Sequence, residues 1–574
     1  MDKYKLYIGI ILLVTVFFRF VGLSSRDTLS DEANYGFRSL GYIDYDNEPV
    51  NHSTPIEWYD PVPPAWLSYS FHDAPPLFFL IQHASFRVFG DSRFALRFPS
   101  ALFGTVSVLL IITIGSILYN RRVGLIAGAL SAVSVSSIYI SRVGIIESTL
   151  IFFLLLTNLI FLLALKRRWL FLLMGVCFGL SLLTKYTAIV FLPISLVYTW
   201  FMGRNIFYDW RFWMGYVVAG VMQTPIILYN IYLYMNFGHL DYALMNLFGE
   251  APEVWQSNPG REIGTVWERI VSFVPQLFFT HFWLMVILFF LSLGYLIWRI
   301  HKDPAARLKH HTYILVSYFF VVILIIMLGP APRFLSMAGP YMRLVIAFCA
   351  YKLWETLRVP YRSIVRVGMI GTFLLAFGYA MNSFILPHPV GPWKLAYGAV
   401  VGNSFKWGYA ELGDYLRVEL AQKQPAFILR PRYEFLKTIR DARIVKVESR
   451  GYAPYAAIII YDQNIARMPE HWIFDRLNVY KNWPVLTTED YENMIKEVGS
   501  SKLQTMDPTF YFIIPFDDIA LKQEQRQTSA GKKFEAKLKE NAITPVYIKT
   551  FDNYFSFRVY KWRGIIPGGT GMLK

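Results

Sequence analysis

The chain has 574 residues, 55% hydrophobic, 17% aromatic and 17% charged, with a mean hydropathy of +0.37. An ordinary soluble chain is about 45–50% apolar and roughly 25% charged, so solubility throughout, disorder, a collagen-like repeat and a small disulfide scaffold are all excluded. The net charge of +16 and the pI near 9.5 read as membrane topology rather than nucleic-acid binding, because Lys and Arg collect on cytoplasmic loops.

A membrane-spanning helix needs about 20 mostly apolar residues. Eleven runs qualify along the chain: 5–22, 97–118, 123–140, 147–165, 169–184, 187–202, 212–235, 277–298, 312–329, 341–357 and 364–386. The first reads as a retained anchor rather than a signal peptide, since no small-x-small cleavage site follows it. With the N-terminus inside, the inner segments hold 16 Lys and Arg, from Lys3 to Arg366. The first outer loop, 23–96, holds four (Arg26, Arg38, Arg87 and Arg93) against ten acids. This bias sets the N-terminus in the cytoplasm, and the odd number of spans puts the C-terminal part outside.

Two outer loops are long. In loop 23–96, Pro61, Pro63 and Pro64 are followed by His72, Asp73, Ala74, Pro75 and Pro76, then by LFFLIQHASFRVFG (77–90). Fourteen residues are too few to span, so 77–90 is expected as a helix lying in the outer interface. Loop 236–276 carries Asp241, Glu250, Glu253, Glu262 and Glu268, and loops of this length are usually functional or disordered. Its aromatic content argues for order.

From about 387 the texture changes. Pro387, Pro389 and Pro392 mark a boundary, and short β-like runs follow at 426–430, 443–447, 456–461, 510–515, 545–549 and 554–562. Charged helical segments at 431–441, 488–498 and 517–541 lie between them. Strands alternating with helices predict a small α/β domain. The expected domains are therefore 1–386, a transmembrane bundle, and 387–574, an extracytoplasmic α/β domain. Cys177 and Cys349 sit inside apolar runs without zinc-type spacing and read as inert core thiols.

Ser30-Asp31-Glu32-Ala33-Asn34-Tyr35 lies within about ten residues of the first span's outer end. Paired acids that close to lipid are costly unless they face water, a partner or a substrate. One carboxylate suits a general base for a hydroxyl acceptor, with its neighbour orienting it. A solvated loop with Ser30 as a helix cap is the competing reading. Glu147 begins the fourth span on the same side, where a helix N-terminus favours negative charge in any case. Arg142 precedes it by five residues and reads as a phosphate ligand or an interface anchor. Lys185, Arg333 and Arg343 carry positive charge at outer span ends, where the inside rule disfavours it. Phosphate is well matched by such groups, and snorkelling anchors are the alternative. His72 and Asp73 could ligate a metal with His83, but no second His/Asp pair supports this and no metal site is expected. Asp517-Asp518 reads as a solvated helix start, and Asn51-His52-Ser53 is a lone glycosylation sequon.

Taken in order, five stretches resemble the dolichyl-phosphate-mannose–protein mannosyltransferase superfamily, membrane glycosyltransferases of the GT-C fold. The prokaryotic branch that includes the aminoarabinose transferase is especially similar. The stretches are SDEANY (30–35), APPLFFLIQHASFRVFGDSRFALRFPSALFG (74–104), RRVGLIAGALSAVSVSSIYISRVGIIESTLIFFLLL (121–156), LLTKYTAIVFLP (182–193) and PRFLSMAGPYMRLVIAF (332–348). The likeness covers about 1–350, and the C-terminal domain only by position. It implies a polytopic α-helical membrane protein of GT-C type with about 11 transmembrane helices and a C-terminal extracytoplasmic α/β domain.

By that resemblance the family's proposed catalytic aspartate falls on Asp31, with Glu32 beside it, and a second family acid falls on Glu147. The Pro-Pro-Leu motif falls on Pro75, Pro76 and Leu77, and the late Arg-aromatic-Leu motif on Arg333, Phe334 and Leu335. This chain has Ala74 where many relatives carry His or Lys, and Glu147 where many carry Asp. The implied activity is inverting transfer from a polyprenyl-phosphate sugar to a protein hydroxyl, lipid or glycan on the outer face. Asp31 acts as base, while Arg142, Lys185, Arg333 or Arg343 stabilises the leaving phosphate. No cofactor is required, and a divalent cation is an option. The expected partners are the lipid-linked donor, the acceptor and the bilayer, with no nucleic acid. The alternative is a transporter or flippase, which would show internal symmetry and charge near span centres; here the span interiors are nearly free of charge. A scaffold that kept the bundle and lost catalysis would have no need of Asp31, Glu32 and Glu147.

Overall fold

The computed structural model describes residues 3–28, 31–44, 69–248, 264–302, 309–398, 400, 407–428, 437, 441, 451–463, 465, 469–498, 506–516, 527–550 and 553–564. The sequon at Asn51, the acids Glu250, Glu253, Glu262, Asp517 and Asp518, and the strand expected at 443–447 lie outside them. So does most of the helix expected at 431–441.

The helices in chain order are α1 (Lys3–Phe20), α2 (Asp31–Gly41), α3 (Leu77–Phe89), α4 (Arg93–Leu118), α5 (Arg121–Ala132), α6 (Val135–Arg142), α7 (Ile146–Ala164), α8 (Leu170–Thr184), α9 (Phe191–Met202), α10 (Trp210–Met222), α11 (Thr224–Phe237) and α12 (Tyr242–Phe248). There follow α13 (Val266–Thr280), α14 (Trp283–Lys302), α15 (Lys309–Leu328), α16 (Pro332–Leu335), α17 (Gly339–Thr356), α18 (Val359–Phe384) and α19 (Tyr409–Glu419). They divide between two compact units. The first is Met1–Ser24 with Trp66–Asn403, and the second is Ser25–Ala65 with Ser404–Lys574.

The first unit is helical among its described residues. Five of its helices are long and apolar enough to cross a membrane, and seven spans result if the bent pairs α5–α6 (58°) and α10–α11 (51°) each count as one. α1 has the length but carries Lys3, Lys5 and Arg19, and α17 carries Arg343, Lys352 and Glu355. The bends are not visible as dips in hydropathy. Loop 236–276 contains α12 and most of α13, and the run expected at 277–298 breaks at His281 and Phe282 between α13 and α14. A capping box between Thr265 and Glu268 starts α13, satisfying two of the amide groups a helix start leaves open.

Close packing of the bundle uses glycine pairs. A Cβ on Gly115 of α4 would lie 3.0 Å from the Gly124 Cα of α5, and one on Gly215 of α10 would lie 2.5 Å from the Phe171 carbonyl of α8. Small residues let membrane helices approach this way. α3 forms where the apolar run predicts a helix. It buries Phe78, Phe79 and Phe86 together with Gln82 and Ser85, so two of the residues that interrupt the apolar side face inward.

The second unit holds a five-stranded mixed sheet in the order β4-β3-β5-β7-β6, from β3 (Ala457–Tyr461), β4 (Val485–Thr487), β5 (Thr509–Pro515), β6 (Pro545–Lys549) and β7 (Phe555–Arg563). β3 runs parallel to β4 and β5, while β7 runs antiparallel to β5 and β6. Every residue of β3 is buried, as a strand covered on both faces requires. Ile458, Ile460, Phe510, Phe512 and Trp562 pack with Tyr491 and Phe534 from the helices Thr488–Val498 and Ser529–Glu540. On the other face Tyr409 of α19 lies 5.0 Å from Phe557. The expected strand at 426–430 is displaced: β1 is Lys423–Pro425, pairing parallel with β2 (Ala453–Tyr455). The three residues of β4 are too few to form a hydrophobic pattern.

α2 belongs to this second unit and is held there by specific contacts. Phe37 is fully buried between His471 and Tyr480, with ring centroids at 5.8 and 5.1 Å. The Tyr480 hydroxyl donates to the Phe37 carbonyl at 2.8 Å. Just before α2, Asp27 accepts from the backbone amides of Trp407 at 2.5 Å and Ala410 at 2.7 Å. It thereby caps α19 from a distant stretch of chain, where the helix dipole favours an anion.

Candidate functional site

Glu147 owes its position to a local knot. The chain leaves α6 through an extended link, Val143–Ile145, before starting α7. Gly144 passes so close to α4 that a Cβ there would lie 2.9 Å from the Leu96 carbonyl. Gln82 of α3 donates to that same carbonyl at 2.8 Å and to the Gly144 carbonyl at 3.4 Å. α3, α4 and the link are thus tied together, and Glu147 falls in the first turn of α7.

Lys185 meets it from another break. α8 ends at Thr184, and Lys185 is extended (φ −160°, ψ 136°) before a short 3-10 turn over Tyr186–Val190. Its Nζ donates to Glu147 Oε1 at 2.7 Å, with side-chain exposures of 20% for the lysine and 2% for the glutamate. Glu147 Oε2 is buried and bonded to no group among the described residues. Lys185 Nζ also lies 4.8 Å from the centre of the Phe334 ring, and the Arg333 guanidinium lies 4.9 Å from the same ring. Both positive charges act on Glu147. α16, a four-residue turn begun by Pro332, places Arg333 and Phe334 there.

Two further arginines are anchored differently. Arg142 donates to the carbonyls of Phe18 at 2.7 Å and Gly22 at 3.0 Å, closing the end of α1. Arg343 donates from Nε to Ser131 Oγ at 2.8 Å and from Nη1 to Ser134 Oγ at 3.0 Å, beside the break between α5 and α6.

The His72–Pro76 segment leads into α3, with Pro76 at its N-cap. The His72 carbonyl accepts from the Tyr242 amide at 3.0 Å, and its ring lies 6.2 Å from that of His239. Asp73 acts on Tyr186, the residue after Lys185. The same corner holds a carboxylate that motif reasoning passed over. Asp241 is fully buried and accepts from the Tyr186 hydroxyl, Asn230 Nδ2 and the Leu244 amide, each at 2.8 Å. Burial pushes its carboxyl up from the ordinary value against those hydrogen bonds. The only sequence signal was an acid at the head of a long aromatic loop.

The structure therefore brings Glu147, Lys185 and Arg333 together, with Asp73, Tyr186 and Asp241 at the next corner. Asp31 and Glu32 lie in the second unit, in the first turn of α2. Asp31 keeps partial solvent access while Glu32 is 3% exposed. Among the described residues no group of three or more His, Cys, Asp or Glu gathers to hold a metal ion.

Residues 73–229 match the family model for dolichyl-phosphate-mannose-protein mannosyltransferases. A search of curated proteins finds no match. Among solved structures, ArnT from Cupriavidus metallidurans bound to undecaprenyl phosphate aligns over 97% of each chain with a TM-score of 0.53 and 13% identity. The Archaeoglobus fulgidus oligosaccharyltransferase in complex with zinc and sulfate aligns over 96% of this chain and 72% of its own, with a TM-score of 0.52 and 14% identity. The oligosaccharyltransferase AglB of the same organism, in complex with an inhibitory peptide and a dolichol-phosphate, aligns over 97% of this chain and 74% of its own, with a TM-score of 0.51 and 14% identity. The resemblance carried by the five sequence stretches is borne out in the matched segment and in the fold.

Proposed function

The chain has the fold of the GT-C membrane glycosyltransferases, and we propose that it transfers a glycosyl group from a polyprenyl-phosphate donor to an acceptor on the outer face of the membrane. The observation that carries this reading is the buried Glu147–Lys185 pair with Arg333 beside it. Two cations around one carboxylate leave a net positive corner in a low-dielectric setting, where a leaving phosphate is stabilised most. That the similar ArnT and AglB structures hold a polyprenyl phosphate and a dolichol-phosphate supports a donor of the same chemistry.

In this reading the acceptor hydroxyl oxygen attacks the anomeric carbon as Asp31 takes its proton. The bond from that carbon to the phosphate oxygen breaks, and the electron pair leaves with the lipid phosphate. Lys185 and Arg333 meet the growing negative charge. Glu147 holds Lys185 through Oε1 and offers Oε2 to a donor hydroxyl. The transition state is oxocarbenium-like, and a single displacement inverts the sugar. Glu32 orients the acidic turn, and His72, Asp73, Pro75 and Pro76 shape the substrate loop. Arg142 holds the end of α1 against the link to α7, and so keeps Glu147 in register. The acceptor is a protein hydroxyl, a lipid or a glycan. No cofactor is required, and a divalent cation is an option.

The topology proposed with it keeps eleven spans and the N-terminus in the cytoplasm, but the boundaries expected at 1–386 and 387–574 are replaced by a helical unit over 1–24 and 66–403 and an extracytoplasmic unit that joins 25–65 to 404–574. The test is transfer in vitro from a labelled polyprenyl-phosphate sugar by the full chain in detergent. Asp31→Asn should abolish turnover, and Lys185→Met or Arg333→Gln should raise the donor KM. Near-normal turnover by Asp31→Asn removes the base, and an unchanged KM in both cation variants places the phosphate elsewhere.

A further inference from the structure

Asp241 is a carboxylate to which the transfer chemistry gives no task. It stands just before α12 and is fully buried. Burying a carboxylate is costly unless its oxygens are bonded, and here both are. Oδ1 accepts from the Leu244 amide at 2.8 Å and so caps α12. Oδ2 accepts from Asn230 Nδ2 and from the Tyr186 hydroxyl, each at 2.8 Å. The Asp241 amide returns a bond of 2.8 Å to Asn230 Oδ1, and Asn230 also donates to the Ile226 carbonyl of α11 at 3.0 Å. A serine at 241 would cap α12 nearly as well. The second carboxylate oxygen, turned toward Asn230 and Tyr186, needs another account.

The bond to Tyr186 reaches a weak point of the fold. α8 stops at Thr184, Lys185 is extended, and the chain resumes as a 3-10 turn over Tyr186–Val190. Such turns have poorer hydrogen-bond geometry than an α-helix, so the break gains from a support outside it. Tyr186 follows Lys185 directly, and its hydroxyl is the arm by which the start of α12 grips the break. Lys185 Nζ must reach Glu147 at 2.7 Å and stay over the Phe334 ring at 4.8 Å, on a flexible four-carbon stem. A shift of the break therefore moves the charge. On the other side, the Tyr242 amide donates to the His72 carbonyl at 3.0 Å. Asp241 and Tyr242, adjacent in the chain, thus tie α11, the Lys185 break and the His72–Pro76 segment to one point.

We infer that Asp241 is a positioning residue for the transfer reaction: through the Tyr186 hydroxyl it fixes the break that aims Lys185 at the leaving phosphate. The inference rests on the role proposed above for Lys185. Asp241 takes no part in bond making and acts only through Tyr186. Apparent affinity falls with the fraction of time the competent geometry is populated, and a misplacement of about 1 Å can cost about a hundredfold in rate. The carboxylate thus serves the reaction by keeping one lysine in one place. Tyr186→Phe isolates this task, because it leaves the α12 cap, Asn230 and the His72 tie as they are.

The experiment makes two measurements on the full chain in detergent. In the transfer assay, Tyr186→Phe and Asp241→Asn should each raise the donor KM by about fivefold or more. The acceptor KM of Tyr186→Phe should stay at the wild-type value, and the double variant should be no worse than the worse single one. The second measurement needs no turnover: reductive methylation of the lysines, read residue by residue by mass spectrometry. Lys185, held on Glu147, should react slowly in the wild type and severalfold faster in Tyr186→Phe and Asp241→Asn, with Lys302 and Lys352 unchanged as references. Glu147→Gln, which cuts the ion pair itself, sets the upper limit. If Asp241→Asn fails to fold, Tyr186→Phe carries both measurements. Wild-type Lys185 reactivity in Tyr186→Phe, additive effects in the double variant, or an acceptor KM that rises with the donor KM overturns the inference. A wild-type chain that transfers no sugar sinks the proposed activity, while the methylation rates still decide whether Asp241 positions Lys185.

Discussion

Removing Lys185 should harm the helical unit more than removing its partner. The two charges lie 2.7 Å apart, so at an effective dielectric constant of about 20 their attraction is about 6 kcal/mol before desolvation is subtracted. Losing one member of a buried pair costs about 3–5 kcal/mol, because the other is stranded. The stranding is unequal here. Glu147 is 2% exposed and cannot reach water, whereas the Lys185 side chain is 20% exposed and keeps the Phe334 ring, a contact worth about 0.5–2 kcal/mol. Lys185→Met leaves Glu147 with only the Arg333 charge acting on it and should therefore cost about 3 kcal/mol, the low end of that range, and Glu147→Gln about half of that. The double variant should lose less than the sum, since an apolar replacement of a whole buried pair is often neutral. Unfolding of each variant in mixed micelles measures the three values. Equal losses in the single variants, or strictly additive ones, would refute the account of Glu147 as the stranded partner.

Other consequences concern the second unit. Asp27→Ala removes two amide bonds at the start of α19 and should cost about 2 kcal/mol; hydrogen exchange should speed up at the α19 amides, and unchanged protection there would count against the cap. Gly41→Ala drives a methyl into the Tyr480 phenol, so it should destabilise despite the better helix propensity of Ala, and Tyr480→Leu should rescue it. Burial and the neighbouring Asp475 push the Glu470 carboxyl up, to about 8 from 4.5. The folded unit therefore keeps a proton that the unfolded chain releases. The stability Glu470 contributes is complete below about pH 4.5 and is lost as the pH rises through about 8. Glu470→Gln should flatten that decline when unfolding is followed from pH 5 to pH 9, and an unchanged slope would assign the decline to another group.

The helices of the bundle were legible because an apolar run is a strong local signal. A helix stands at each run the sequence marks, and Thr488–Val498 and β3, β5, β6 and β7 lie where their runs place them. The bends at Val133–Ser134 and Gln223 were not legible, because hydropathy continues through them and one of the bonds that hold Ser134 comes from Arg343, 209 residues away. The partners in the site were equally out of reach. Glu147 and Lys185 are 38 residues apart, and their separate motifs carry no statement that one side chain meets the other. Asp241 was hidden for the same reason, since its burial depends on Tyr186 and Asn230. The grouping of 25–65 with 404–574 depends on Asp27 and Tyr480, which look like unrelated residues in the chain.

The attachment of α2 to the second unit bears on how this protein could be dissected or recombined. Asp31 and Glu32 sit on a helix whose supports, Tyr480, His471 and the α19 cap, are all encoded more than 370 residues downstream. Trimming the chain after the last helix of the bundle would leave that acidic turn without its seat. A chimera with a relative would need to exchange 25–65 and 404–574 as one inheritance, even though the gene writes them at opposite ends.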